Sequence, residues 1–403
     1  MKIIVLAGGA DQIALIKELK HRGCYVILID YFDNPPAKVY ADKHIIASTL
    51  DIERVKCIAE QECVDMICTA CTDQALLTVA YVSEKLNLPC YISYETALNV
   101  TNKSYMKKVM IENNIPTAKY RILEDVNIES VKDFKFPVVV KPVDCNSSKG
   151  VKRIDAIDDV AVYLLEAINY SRTKTAIVEE FKSGNEISAD LYIENGIVKF
   201  LSATRSIKIK NKKSFTILCS EYPVVDYNQE QTIIRIAKDI AVAFKLNNCP
   251  LLVQLIEDKF GIYVLEFSAR MGGGSKYQLI QTLSGVNIMS AYVDMILGFT
   301  PQITPSKQVN YCKMVYLYCT PGVFNYIEGL EELKEMGYID DFFIYKTAGM
   351  KINQAETSGD RPGGYLVTAA TAEELSSKIK YVDSFIKIID INGNDIMLHN
   401  LLL

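Results

Sequence analysis

Over the first ninety residues, short apolar runs alternate with longer stretches whose apolar positions recur every three or four residues, the pattern of parallel strands joined by helices. Residues 2–7 read as a strand; Gly8-Gly9-Ala10-Asp11 then turns into a helix with Ile13, Ile16 and Leu19 on one face. Further strands are predicted at 25–30, 44–47 and 66–69, with helices from about Asp51 and Asp73. Four such units predict a doubly wound parallel sheet over residues 1–93.

After that the rhythm changes. A polar, basic helical stretch from 94 to about 114 ends at Ile115-Pro116, where proline disfavours further helix. FPVVVK at 136–141 is a buried-type strand, 143–150 a polar loop and 155–170 a helix. The strand AIVEEF runs into a turn at Lys182-Ser183-Gly184-Asn185, a hairpin turns at Glu194-Asn195-Gly196, and RSIKIKNKK at 205–213 reads as a basic loop. Strands at 251–257 and 262–267 lead into Arg270-Met271-Gly272-Gly273-Gly274. This irregular interleaving predicts an α+β core over 94–303. Beyond a proline-containing linker at 298–305, strands at 311–318 and 364–370 and a helix at 371–386 predict a small C-terminal α+β domain, 304–403.

Composition narrows the function classes. The 403 residues carry 44 Lys plus Arg against 49 Asp plus Glu, and 49% are apolar, which is ordinary for a globular protein and unlike a disordered or fibrous one. No apolar run approaches the roughly 18 residues of a membrane span, and MKIIVLAGGADQ lacks a signal peptide's layout, so a cytoplasmic location without a membrane partner is expected. No domain-scale basic surface or aromatic-studded basic motif points to nucleic acid. The 11 cysteines are odd in number and scattered, as buried reduced thiols are; Cys68-Thr69-Ala70-Cys71 lacks the second pair of a zinc site and reads as small core residues at a strand end. His21, His44 and His399 have no ligand-like spacing, so histidine-based metal or general-base chemistry is not expected.

The most informative stretch runs from Val253-Gln254 to Glu266-Phe267-Ser268-Ala269-Arg270. Side chains alternate along a strand, so Glu266, Ser268 and, in an extended chain, Arg270 face one way, with Gln254 on the partner strand. A carboxylate, short oxygen-bearing side chains and a guanidinium on one face suit magnesium and a polyphosphate, although an exposed sheet face with an incidental Glu and Arg has the same pattern. Lys141 ends an apolar strand, where an ammonium would be held rigidly, and Lys103 sits near a helix start; both are also ordinary places for a lysine. Between them and the carboxylate strand, the small-residue loop from Asp144 to Gly150 has N–H and hydroxyl groups suited to covering phosphates, as well as the composition of a solvated loop. No Gly-x-x-x-x-Gly-Lys-Ser/Thr, complete Gly-x-Gly-x-x-Gly or Gly-x-Ser-x-Gly occurs, which argues against P-loop, dinucleotide and serine-hydrolase scaffolds.

Taken in order, the motifs resemble the ATP-grasp superfamily in its carboxylate–amine ligase branch: IIVLAGGADQIALI, Thr101-Asn102-Lys103-Ser104, PVVVKP, Ser147-Ser148-Lys149-Gly150, IVEEFKSGNEIS, VLEFSAR and the glycine run. The resemblance covers about residues 1–300 well and the last hundred loosely. It implies a pre-ATP-grasp sheet domain, an ATP-grasp core of two α+β lobes and a C-terminal domain. It further implies that Lys103 and Lys141 hold ATP phosphates under a cover of Ser147, Ser148, Lys149 and Gly150, that adenine lies at the hinge Glu179, Glu180 and Phe181, and that Glu186 bonds the ribose. Glu266 would hold magnesium, or manganese in its place, together with Gln254 and Ser268. Arg270 would be the catalytic arginine at the transferring phosphoryl, and Gly272, Gly273 and Gly274 would lie beside the acyl substrate.

Two departures bear on the metal. Ser268 stands where the family usually has Asn, and Gln254 where many relatives have Glu, as is also the case in the large subunit of carbamoyl-phosphate synthetase. One carboxylate fewer predicts weaker magnesium binding, or a metal shell completed by ATP. The implied reaction is carbon–nitrogen ligation of a small-molecule carboxylate and amine through an acylphosphate, releasing ADP and phosphate; a homodimer is compatible with it. The glycine run resembles amino-acid ligases more than phosphoribosylglycinamide synthetase, whose Gly-Arg-Glu-His turn is absent after Ala7. That purine-pathway reading stands as an alternative, beside a regulatory ATP-binding protein without ligase activity and an NAD oxidoreductase, which would need a third glycine.

Overall fold

In the computed structural model, which describes residues 1–145, 149–209 and 215–402, the apolar runs of the first unit lie side by side. β1 (Lys2–Leu6), β2 (Tyr25–Asp30), β3 (Lys43–Ile46) and β4 (Met66–Cys68) form a parallel sheet in the order β3-β2-β1-β4, crossed over by α1 (Ala10–His21), α2 (Ile52–Glu62) and α3 (Asp73–Leu86). Ile3, Val5, Val26 and Leu28 bury one face, and Ile4, Leu6, Ile27 and Ile29 the other. Burial on both faces is why these strands are apolar throughout rather than alternating.

The helical stretch after residue 94 is two helices, α4 (Tyr94–Thr101) and α5 (Lys103–Glu112). They break at Asn102, whose side chain accepts the Ser104 N–H as an N-cap, so Lys103 opens α5. A small lobe follows: β5 (Tyr120–Leu123), β6 (Val138–Pro142), β7 (Lys152–Ile154), α6 (Val160–Tyr170) and β8 (Ala176–Glu180), an antiparallel sheet in the order β5-β8-β6-β7 backed by α6. The larger lobe contains β9 (Asn185–Glu194), β10 (Ile197–Lys208), β11 (Ile217–Tyr222), α7 (Tyr227–Ala243), β12 (Cys249–Asp258), β13 (Gly261–Ser268), α8 (Lys276–Ser284) and α9 (Ile288–Ile296). The chain ends with β14 (Tyr311–Tyr316), β15 (Gly322–Glu328), α10 (Leu330–Glu335), β16 (Asp341–Ile344), β17 (Lys351–Ile352), β18 (Gly363–Ala369), α11 (Ala372–Phe385) and β19 (Lys387–Asp390).

One eight-stranded sheet, β13-β12-β9-β10-β11-β14-β18-β16, runs through the larger lobe and on into the last hundred residues, with Cys219 of β11 opposite Val315 of β14. A three-stranded sheet, β17-β15-β19, completes the end of the chain. The β9–β10 hairpin turns at Asn195 (φ 50°) and Gly196 (φ 76°), both in the left-handed region that a two-residue hairpin demands.

Two local expectations change. The segment from Arg205 to Lys208, read as loop, is the end of β10 and pairs with β11, Arg205 pairing with β9 as well. Ser206 and Lys208 line the cleft while Ile207 packs against the core, and a strand edging a polar cleft tolerates lysine on its open face. Residues 210–214 of that basic run lie outside the described residues. In β12–β13, Gln254 pairs with Glu266 but Leu255 with Val264, so Leu265 is a bulged extra residue. The bulge turns both Leu265 and Glu266 to the cleft while Val264 and Phe267 both enter the core, which strict alternation does not produce.

Candidate active site

The sheets of the two lobes face each other across a cleft of about 770 Å³. Part of its lining is apolar, from Ala118, Val139, Val151, Ile217, Ile256 and Leu265. Between the lobes the hinge is pinned by main chain: the Glu180 N–H donates to the Lys119 carbonyl at 2.9 Å and the Phe181 N–H to the Pro137 carbonyl at 3.0 Å. Glu180 and Phe181 both line the cleft, and the Arg153 guanidinium lies 4.6 Å from the Phe181 ring centre. An apolar slot with a main-chain edge can hold a planar base.

The rest of the lining is largely charged. Glu179, expected at the adenine, has its carboxylate buried between two lysines, 2.7 Å from Lys107 Nζ and 2.5 Å from Lys141 Nζ. Burial alone would raise its pKa, but the two ammonium groups prevail and pull it down to about 2. In return Glu179 and Glu266 outweigh burial at Lys141 and keep it charged, whereas at Lys107 burial prevails and lowers the pKa. Lys107 was not foreseen, although it lies one turn after Lys103 on the same helix face. Lys103 Nζ donates to the Cys145 carbonyl at 2.7 Å and sits 3.3 Å from Glu266. Glu266 is itself held below the usual carboxylate range, burial being outweighed chiefly by Lys103 and Lys141.

Glu266 and Gln254 are register partners and both line the cleft beside the lysines. Their oxygens fit a hard divalent cation, and since no group of three or more His, Cys, Asp or Glu suited to a metal occurs among the described residues, water and phosphate oxygens would have to complete its shell. Ser268 is buried and lines a small chamber behind the cleft with Asp73, Lys103 and Glu266 instead of the cleft itself. Glu186 lines the cleft and pairs with Lys208 of β10, a residue missed when that segment was read as loop. Ser147 and Ser148 lie outside the described residues. Lys149 is exposed, and Gly150 has φ 70° with only 2.9 Å between an added Cβ and Pro142, so glycine is required there.

Arg270 is held from a distance. Its Nε donates to Asp73 Oδ1 at 2.8 Å, Nη2 donates to the other carboxylate oxygen, and Nη1 donates to the Met271 carbonyl at 2.7 Å. The glycine run stands at a junction of three parts of the chain and does not line the cleft. The N–H groups of Gly274 and Ser275 donate to Asp11 at 2.9 and 2.7 Å; a Cβ on Gly273 would lie 3.5 Å from the Cys71 carbonyl, and one on Gly274 3.0 Å from Arg361 Nη1 and Tyr316 Oη. Asp11, Asp73 and Arg361 carry no local sequence signal, because each gains its meaning from a partner elsewhere in the chain. The Gly8 turn is closed by its own chain: Asp30 accepts the Gly8 N–H at 2.6 Å, and a Cβ on Gly8 would fall 2.6 Å from Pro35.

Residues 101–274 match the family model of the phosphoribosylglycinamide synthetase ATP-grasp (A) domain, and residues 315–389 that of the L-amino acid ligase C-terminal domain 2. The chain thus carries an ATP-grasp domain over residues 101–274, followed by a segment like the C-terminal domain of L-amino acid ligases. Among curated proteins it is 25% identical over 201 residues to a formate-dependent phosphoribosylglycinamide formyltransferase of Mannheimia succiniciproducens, covering 49% of this chain and 48% of that one. The chain thus spans about half the length of that relative. The L-amino acid ligase of Bacillus licheniformis superposes with a TM-score of 0.79 at 21% identity over 96% of this chain and 98% of that one. The biotin carboxylase domain of the Hydrogenobacter thermophilus 2-oxoglutarate carboxylase, solved as a dimer with MgADP, ADP and bicarbonate, gives 0.79 at 15% identity over 99% and 92%. These structural likenesses establish the fold. No helix among the described residues is long and apolar enough to cross a membrane.

Proposed function

We propose that the protein is an ATP-dependent carboxylate–amine ligase acting on small molecules. The observation that carries the reading is the lining of the cleft: apolar side chains and a main-chain edge at the Phe181 hinge, together with Lys103, Lys141 and an ionised Glu266. An adenine and a triphosphate call for those same two kinds of lining. Magnesium, held by Glu266 and Gln254, would supply charge neutralisation between phosphate oxygens. Lys103 and Lys141 orient the phosphates, and their ammonium groups offset charge as the terminal phosphoryl leaves ADP for a carboxylate oxygen. Arg270 sits beyond Glu266 toward the glycine run, where the acyl group would lie. In the second step the amine nitrogen bonds to the acyl carbon, the bond from that carbon to the phosphate oxygen breaks, phosphate departs and the nitrogen loses a proton. With this reading go a division of labour among residues 1–93, 94–303 and 304–403, and a cytoplasmic location.

Purified protein with ATP, magnesium and mixed carboxylic acids and amines is expected to release ADP and phosphate and to form an amide. Arg270→Ala and Glu266→Gln should each lower that release by about 100- to 1,000-fold with the fold retained, the range seen when one stabilising group is removed from a transition state. Turnover unchanged in both variants would overturn the assignment, and ATP binding without ADP release for any acid would favour the regulatory alternative.

A further inference from the structure

Arg270 is placed by a residue from the far end of the chain. Asp73 is the first residue of α3 in the N-terminal sheet unit, 197 positions away, and grips the guanidinium side-on through Nε and Nη2. Nη1 is tied to the Met271 carbonyl. A guanidinium has five N–H groups, and these three bonds leave one hydrogen on each terminal nitrogen. Two such hydrogens form a fork suited to two oxygens of one anion. Both side chains of the pair are largely buried, at 11% and 17% exposure, so water does not compete strongly for the remaining orientation. Asp73 also lines the small chamber with Glu266, Ser268 and Lys103, which puts the pair next to the proposed phosphoryl position. The residue after it works the same way: Gln74 donates to the Asp144 carbonyl at 2.9 Å, at the root of the loop whose Cys145 carbonyl receives Lys103.

From this geometry we infer that Asp73 is a positioning residue for phosphoryl transfer: it turns Arg270 so that its free fork meets the transferring group, and through it the N-terminal unit takes part in the chemistry. The inference rests on the ligase reading and supplies it with a residue that touches neither nucleotide nor acid. A carboxylate that merely compensated a buried arginine would matter to stability; one that aims it matters to the transition state.

The test uses the full chain and a probe that needs no knowledge of the acid. Calorimetry measures magnesium–ADP affinity with and without aluminium fluoride, a mimic of the phosphoryl in flight. In the wild type the fluoride is expected to tighten ADP binding at least tenfold. Asp73→Asn should abolish that gain while ADP affinity alone stays within about twofold, and Asp73→Glu should restore part of it. Arg270→Gln should also abolish the gain, and adding Asp73→Asn to it should cost nothing more, because a positioning residue has no effect without the group it positions. A full gain in Asp73→Asn, or a further loss in the double variant, overturns the inference. No gain in the wild type overturns the phosphoryl-transfer reading itself, and the inference with it. If Asp73→Asn does not fold, Asp73→Glu in the two Arg270 backgrounds makes the same comparison.

Discussion

The nucleotide cleft and the glycine junction both gather buried charge, but they are put together differently. In the cleft, Glu179 is shared by Lys107, a turn after Lys103 on one helix, and by Lys141 of the neighbouring strand, which stands two residues out of register with it. That trio closes on itself within one small lobe and the helix leading into it, although Lys103 reaches on to Glu266 of the larger lobe. At the junction, Gly274 reaches Asp11 across 263 positions and Arg270 reaches Asp73 across 197, while Arg361 approaches from the C-terminal segment. A network of the first kind forms as soon as a lobe folds. One of the second kind exists only when every unit has docked, so it reports on the assembled molecule and suits a step that must wait for substrates.

The comparison can be broken most sharply at Glu179. Glu179→Gln leaves Lys107 and Lys141 buried without their shared carboxylate, and removing one member of a buried ion pair costs about 3–5 kcal/mol. Urea unfolding should show a loss of that order; a loss below about 1 kcal/mol would mean that the lysines are not compensated as a set.

Acid should separate the two regions by sign. Glu179 has a folded pKa pulled below its ordinary value, so its contribution is complete above about pH 5 and is lost as pH falls from there toward 2. Asp11 goes the other way: burial raises its pKa in spite of the Gly274 and Ser275 amides and the nearby arginines, so its contribution is present in acid and fades as pH rises through the folded value. Melting temperatures between pH 3 and 7 should therefore fall toward acid in the wild type and fall less steeply in Glu179→Gln, while Asp11→Asn should steepen the acid limb. Parallel profiles in all three proteins would remove the distinction.

The smallest effect is expected at Gly274, where φ is 73° and an added Cβ meets Arg361 and Tyr316 at 3.0 Å. Gly274→Ala should cost about 1 kcal/mol of stability or somewhat more and leave ADP affinity unchanged, since the cleft does not include this residue. Weakened ADP binding in that variant would show that junction and cleft are one unit.

Much of the cleft was legible because its residues sit in local patterns. FPVVVK announces a strand with a lysine at its end, Asn102 announces a helix start one residue before Lys103, and VLEFSAR carries the carboxylate. Lys107 was readable too, from its spacing after Lys103. Glu266 was read on the right strand, but the company it keeps was not foreseen: alternation groups it with Val264, and the bulge at Leu265 separates them. Lys208 is hidden in a basic run that reads as solvated until β11 is seen to pair with it, Lys208 standing opposite Ile217.

By itself the chain determined most of its element types, their order and the strand or helix that carries Lys103, Lys141 and Glu266, because side-chain periodicity, caps and turn residues act over a few positions and leave their mark within them. Only the tertiary structure decided that Glu179 is a counter-ion between lysines, that Arg270 is aimed by Asp73 and that the glycine run rests on Asp11 and Arg361. Those outcomes depend on which distant segments meet and exclude water, and the strength of a charge pair is set by that burial rather than by any spacing along the chain.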